Sequence, residues 1–511
     1  MSSTLASAAF SQSSRAALIG LLLLTPGGCG DGDDAPTTTT ATRGAGVTSP
    51  TITGPVTGGS GVPFLAATTF DLATVRYAQA EYFMTGTATV FTSANVLAAD
   101  GLWTVTPGEV ATYKTRLVAY RPIDAARFNG TVIVEWLNVS GGLDAAPDWL
   151  AAHTELTRSG YAWVGVSAQA VGVEGGTSIL GLPSMPLKTV DPERYASLVH
   201  PGDGFAYDIF SQAAQAVRRP GGTAILRDLV VRNVIAVGES QSAFRMVTYI
   251  NAVHPVADIY DGFLVHSRGG GAAGAAPLAE PPQAPIGVPG AAQIRPDLNV
   301  PVLTFQTETD LTFLESVHAR QPDSARFRLW EVAGTAHADT YTTVVGATDI
   351  GDSPEVAKLV LTSTPVPGFT CRSPINSGPQ HFVLKAAIAA LNEWVKQGTL
   401  PPTAPRLEAI PGSTIRLARD AHGNALGGIR TPQVDVPIAA FSGDGRGSIL
   451  CLLFGSTTPF DDTKLASLYA SHADYVSAFN AATENAVRAG FILRPDAELM
   501  KAAAAESSVG G

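Results

Sequence analysis

Charge is scarce in this chain: Lys, Arg, Asp and Glu together make up 15% of it, against roughly 25% in an ordinary soluble domain. With 45% hydrophobic residues, that balance excludes a largely disordered protein. Positive charge is the scarcer sign, 33 Lys and Arg against 44 Asp and Glu, for a net charge of −11. That sign argues against nucleic acid and against a polybasic membrane surface, so no nucleic-acid partner is expected. Cysteine occurs three times and histidine nine times, and no pair or triplet of them has metal-ligand spacing, so neither a metal site nor a cofactor is expected. The apolar run Ala16–Leu24 is too short to cross a bilayer.

What is present at the amino terminus points to export. Arg15 precedes that run, which has the length of a signal-peptide core, and Gly27-Gly28-Cys29 follows it. Cys29, directly after small residues, stands where bacterial lipoproteins are lipidated, although Pro26 replaces the usual aliphatic residue. Cleavage with plain secretion is the alternative. Residues 1–29 are therefore read as a signal peptide and 30–63, rich in Thr, Gly, Pro and Ser, as a disordered linker. Membrane contact is expected only through a lipid on Cys29, and the destination is periplasmic, outer-membrane-tethered or extracellular. In an oxidising compartment the other two thiols, Cys371 and Cys451, are expected as a disulfide.

Residues 64–402 alternate strand-like and helix-like segments. Glu81–Phe91 and Tyr113–Tyr120 read as early antiparallel strands. Thr131–Trp136, Gly160–Ser167, Val234–Val237, Tyr260–His266, Val300–Gln306 and Phe327–Val332 read as buried ones, with helices over Trp149–Thr157 and Tyr207–Arg218. Such alternation predicts an α/β fold with a mostly parallel central sheet flanked by helices. Gly269–Gly290, made of Gly, Ala and Pro, leaves the strand after Ser240 and is expected as a mobile, apolar, cap-like insertion. Phe382–Val395 reads as the last helix on the sheet. Residues 403–511 read as a C-terminal extension packed on the catalytic domain, its longest helix spanning Leu465–Arg488.

The chemistry is concentrated at strand ends. Gly238-Glu239-Ser240-Gln241-Ser242 lies between a strand and a helix, the setting of a nucleophile elbow, with Ser242 where the commoner pattern has a second glycine. Asp310 follows one later strand and His337 the next. In the order Ser240, Asp310, His337, a neutral imidazole takes the serine proton and a carboxylate fixes its tautomer. Glu308 is the alternative acid, and His266 and His381 are weaker alternatives for the base. Two backbone N–H groups are expected to hold the oxyanion. One is that of Gln241; the other lies in the loop Asn138–Gly142, at Asn138 or Val139.

Gly238–Ala243, Gly334–Asp339, Asn376–His381 and Pro401-Pro402 together resemble a largely bacterial, often exported family of α/β-hydrolase domains, over roughly residues 70–500. The resemblance implies a serine hydrolase fold and leaves the substrate open. The reading it completes is an exported enzyme that cleaves a small or polymeric carboxylic ester. Amide, thioester or polyester cleavage, or a catalytically silent surface-tethered binding protein, are the alternatives.

Overall fold

The computed structural model describes residues 43–270 and 276–510. The expected signal peptide, Cys29, the first part of the linker and residues 271–275 of the insertion lie outside the described residues.

Among the described residues the centre is a ten-stranded sheet. Its strands in chain order are β1 (Thr51–Thr53), β2 (Tyr77–Thr92), β3 (Thr106–Pro122), β4 (Thr131–Trp136), β5 (Ala162–Val166), β6 (Gly221–Gly222), β7 (Asn233–Glu239), β8 (Gly262–His266), β9 (Val302–Gln306) and β10 (Phe327–Glu331). Their order across the sheet is β10-β9-β8-β7-β4-β5-β3-β2-β1-β6. From β10 to β5 every neighbouring pair is parallel, and the β2–β3 hairpin adds antiparallel to β5. Parallel strands are covered on both faces, and β7 shows why its sequence is apolar without alternation. Val234 and Ala236 enter one buried cluster, Ile235 and Val237 the other.

The helices that matter here are α1 (Pro147–Arg158), α2 (Ala206–Arg218), α3 (Gln241–Thr248), α4 (Gln380–Gln397), α5 (His472–Arg488) and α6 (Arg494–Ala505). Tyr475 and Phe479 of α5 and Met500 of α6 share one buried cluster with Trp149, Trp330 and Trp394. The extension thus completes the core on that face of the sheet.

Three expectations are corrected. Residues 43–63 are not a free linker: Thr51–Thr53 pairs antiparallel with Phe83–Thr85 and parallel with Gly221–Gly222, and Ile52 is buried. Arg43 pairs with Asp258 and lies 3.2 Å from Asp261. Edge pairing runs through the backbone, so a Thr-, Gly- and Pro-rich composition does not prevent it. The helix expected over Leu465–Arg488 is broken, because Leu468 ends one helix and the Ser471 side chain caps the next by accepting from Asp474 N–H. The insertion is held down over residues 276–280. Thr248 Oγ1 donates to Ala276 O and Tyr207 Oη to Pro277 O, both at 2.7 Å, and Glu280 lies 2.6 Å from Arg245. Leu278 and Ala279 are buried with α2 and α3, so residues 276–280 form a packed strap, while 281–290 stay half-buried or exposed.

Cys371 and Cys451 form a disulfide across 80 residues. It packs with Ile375, Leu450 and Phe454 against Leu180 and Ala338, and Ala338 is the residue after His337. In the chain-entropy picture a loop of this length stabilises by about 4 kcal/mol. Reduction should therefore lower the unfolding temperature by several degrees, read by thermal unfolding with and without reductant. An unchanged midpoint in fully reduced protein would show that the bridge adds nothing.

Candidate active site

The turn from β7 into α3 carries Ser240 at φ 57° and ψ −121°. A non-glycine residue with positive φ is strained, and such strain persists only where the surroundings enforce it. Here Ser240 N–H donates to His266 O at 3.0 Å and Ser240 O accepts from Phe244 N–H at 3.2 Å, fixing the turn from both sides. The small flanking residues are required by packing. A Cβ at Gly238 would stand 3.1 Å from Ser242 O and 3.2 Å from Ser242 Cβ, so a larger side chain at either position would force strand and helix apart.

β9 and β10 deliver the partners. After β9, Thr307 caps the short helix Glu308–Thr312, with Thr307 N–H donating to Asp310 Oδ2 at 2.7 Å. That bond aims the other oxygen, Oδ1, at His337 Nδ1, also at 2.7 Å. His337 follows the turn at Gly334, and its Nε2 lies 2.7 Å from Ser240 Oγ. Ser240, His337 and Asp310 therefore form one hydrogen-bonded chain, with His337 and Asp310 buried. Burial alone would depress the imidazole, but the Asp310 hydrogen bond and charge, with Glu239, raise it above its ordinary value.

The other titratable groups singled out in the sequence go elsewhere. Glu308 accepts from Gly334 N–H at 2.6 Å and Gly443 N–H at 3.0 Å, and Arg419 lies 3.0 Å away, so it does not reach His337. Burial raises its carboxyl, against the Arg419 charge. His266 Nδ1 pairs with Asp148 at 2.9 Å, and His381 lies stacked on Tyr341 with ring centres 3.7 Å apart. The segment Asn376–His381 acts on the site through its first residues. Asn376 Nδ2 donates to Gly334 O at 3.2 Å, and a Cβ at Gly378 would come within 2.0 Å of that oxygen, so this segment clamps the turn that presents His337.

Of the two loop donors expected for an oxyanion, the structure separates one from the other. Asn138 N–H is already committed to Ala145 O at 2.9 Å, which corrects its assignment as a backbone donor. Among the described residues, Val139 N–H and Gln241 N–H have no protein acceptor. Gln241 opens α3, where the first N–H groups lack intrahelical partners and carry the positive end of the helix dipole. The loop around Val139 is braced from outside, because Ser178 Oγ donates to Ser140 O at 2.8 Å and Met185 N–H to Gly142 O at 2.8 Å. Sequence reasoning missed that second loop, which carries no motif.

It also passed over Glu239. The carboxylate is buried, its Oε1 stands 3.3 Å from His337 Nε2, and Oε2 accepts from Asn138 Nδ2 at 3.2 Å. Burial pushes its carboxyl up to about 7, opposed by the charges of His337 and His266. The only signal was a charge at the end of an otherwise apolar strand. A cavity of about 380 Å³ lies elsewhere, between α4 and the C-terminal helices; Tyr341, Phe382, Tyr475 and Met500 line it, and Ser240, Asp310 and His337 do not. Among the described residues no cluster of His, Cys, Asp and Glu could hold a metal ion, and no helix is long and apolar enough to cross a membrane.

A family model described as "Alpha/beta hydrolase domain" matches residues 52–502. Among solved structures, the chain is similar to a fungal esterase from Rhizomucor miehei at 10% identity, covering 61% of this chain and 85% of that one with a TM-score of 0.30. It is also similar to a glucuronoyl esterase from Solibacter usitatus at 12% identity, covering 50% and 76% with a TM-score of 0.25. A third is oligopeptidase B from Leishmania major, at 9% identity, covering 51% and 33% with a TM-score of 0.27. No curated protein matches the chain.

Proposed function

The chain belongs to the alpha/beta hydrolase domain family, and on that premise we propose that it is an exported serine hydrolase cleaving carboxylic esters through an acyl-enzyme. The observation that carries this reading is the unbroken chain from Ser240 Oγ through His337 to Asp310, at 2.7 Å for each link.

In the first half-reaction Ser240 Oγ bonds to the substrate carbonyl carbon as its proton passes to His337 Nε2. The carbonyl π pair moves onto oxygen, where Val139 N–H and Gln241 N–H stabilise it. Asp310 holds the Nδ1–H tautomer and balances the imidazolium. Collapse expels the alcohol oxygen, which takes the proton from Nε2 and leaves the acyl group on Ser240. Water repeats the sequence, losing its proton to Nε2 and releasing the acid. Esters are favoured over amides because an alkoxide leaves with less help from the acid than an amine does. The N-terminal sequence and the Cys371–Cys451 bridge support export, and mass spectrometry of the mature amino terminus would distinguish a lipidated Cys29 from simple cleavage.

A fluorophosphonate probe tests the reading together with a series of neutral p-nitrophenyl esters. Labelling of folded protein at Ser240, with ester turnover, is expected. Folded protein that neither labels nor turns over any ester would favour a silent binding protein.

A further inference from the structure

We propose that Glu239 is a second counter-ion of the site, its carboxylate stabilising the His337 imidazolium from the Nε2 side while Asp310 does so from the Nδ1 side. The proposal rests on the reading of Ser240 and His337 as nucleophile and base.

Geometry sets this carboxylate apart from an ordinary strand-end charge. It precedes Ser240 directly, so the strained turn that exposes Oγ also fixes Glu239 beside it. Its Oε1 lies 3.3 Å from Nε2, the atom that gains and loses the proton in every step, while Ser240 Oγ lies 2.7 Å from the same nitrogen. The carboxylate cannot swing away, because Asn138 Nδ2 donates both to Oε2 at 3.2 Å and to the Glu239 carbonyl at 3.1 Å. This gives Asn138 a positioning function through its side chain, in place of the backbone function expected for it.

In the resting site Nε2 is unprotonated and its lone pair serves the serine hydroxyl. When the serine proton moves to Nε2, the new N–H has an acceptor in Glu239 as well as the substrate oxygen. The positive ring then lies between two carboxylates in a buried setting, where the attraction is stronger than in water. No other atom changes hands, because Glu239 neither takes nor gives a proton in the cycle.

The environment makes the ionised form of Glu239 conditional. The charged and titratable groups that face it are His337, Asp310 behind that ring, His266 opposite it on β8, and Asp148, which pairs with His266 from α1. Burial raises its carboxyl to about 7, against the attraction of the two histidines. Below that pH it becomes neutral and stops supporting the imidazolium. As pH falls, activity is therefore lost by two protonations, of Glu239 and of His337, and the acid limb should be steeper than a single ionisation gives.

Glu239→Gln tests this, since it keeps the shape and removes the charge. The expected kcat on p-nitrophenyl acetate is lower by about tenfold, the fold-change that one pKa unit of lost imidazolium stabilisation represents, with KM changed by less than about threefold. The acid limb should fall to a single ionisation and move to lower pH by about one unit, because an opposite charge no longer raises the His337 imidazole. Unchanged kcat and an acid limb of unchanged slope and position would overturn the proposal, as would a loss confined to thermal stability. If the variant does not fold, the wild-type slope decides: a single-proton acid limb also overturns it. Failure of the underlying reading looks different, since Ser240→Ala would then remain active.

Discussion

Replacing Ser240 with alanine should reduce turnover of p-nitrophenyl esters by on the order of a millionfold. The magnitude follows from how the three side chains act. Among the described residues, Ser240 Oγ is the hydroxyl hydrogen-bonded to His337 Nε2, at 2.7 Å, which places it to form the acyl bond. What survives is the oxyanion site and substrate binding, which accelerate attack by water only modestly. His337→Ala should cost about as much, and the double variant little more than either, because a nucleophile without its base and a base without its nucleophile are equally idle. Folding should be nearly untouched. The positive φ at Ser240 is imposed by its backbone hydrogen bonds to His266 and Phe244, and alanine bears it as serine does. Steady-state kinetics with a thermal unfolding control checks this. Activity of Ser240→Ala within a hundredfold of wild type would mean that the chemistry lies elsewhere.

Much of this site was legible because its parts sit at strand ends, and strands buried on both faces announce themselves as short apolar runs. β7, β9 and β10 could each be placed from sequence, so Ser240, Asp310 and His337 could be assigned to one edge of the sheet before any side chain was positioned. What could not be read depended on direction or on remote partners. Glu308 and Asp310 are two residues apart on one short helix, and sequence does not say which carboxylate the capping bond to Thr307 N–H turns toward Nδ1. Asn138 and Val139 differ in whether the backbone N–H is already taken, which depends on Ala145 folding back across the loop. Residues 43–63 were misread because pairing at a sheet edge uses backbone groups that composition does not reveal. The break before His472 turned on one capping serine inside a pattern that otherwise stays helical.

The choice between the two acids has the second largest consequence. Asp310→Asn should lower kcat by about ten-thousandfold with little change in stability. Both oxygens of Asp310 are acceptors here, Oδ1 for His337 Nδ1–H and Oδ2 for Thr307 N–H. An asparagine can supply only one acceptor. If its amide nitrogen faces the ring, the ring must present a bare Nδ1 and carry its proton on Nε2, where it can no longer receive one from Ser240. If it faces Thr307 instead, the cap is lost and the helix that aims the side chain loosens. Glu308→Gln should behave in the opposite way. Its oxygens accept from Gly334 and Gly443 N–H groups and lie against Arg419, so the amide would leave a buried donor facing a donor. That costs about 1–3 kcal/mol of stability, while kcat at a temperature where the variant is folded should stay within a few-fold of wild type. Kinetics and denaturant unfolding on the two variants separate these outcomes. A catalytic collapse in Glu308→Gln with Asp310→Asn still active would transfer the orienting carboxylate to Glu308 and require the Glu308–Thr312 helix to turn relative to His337.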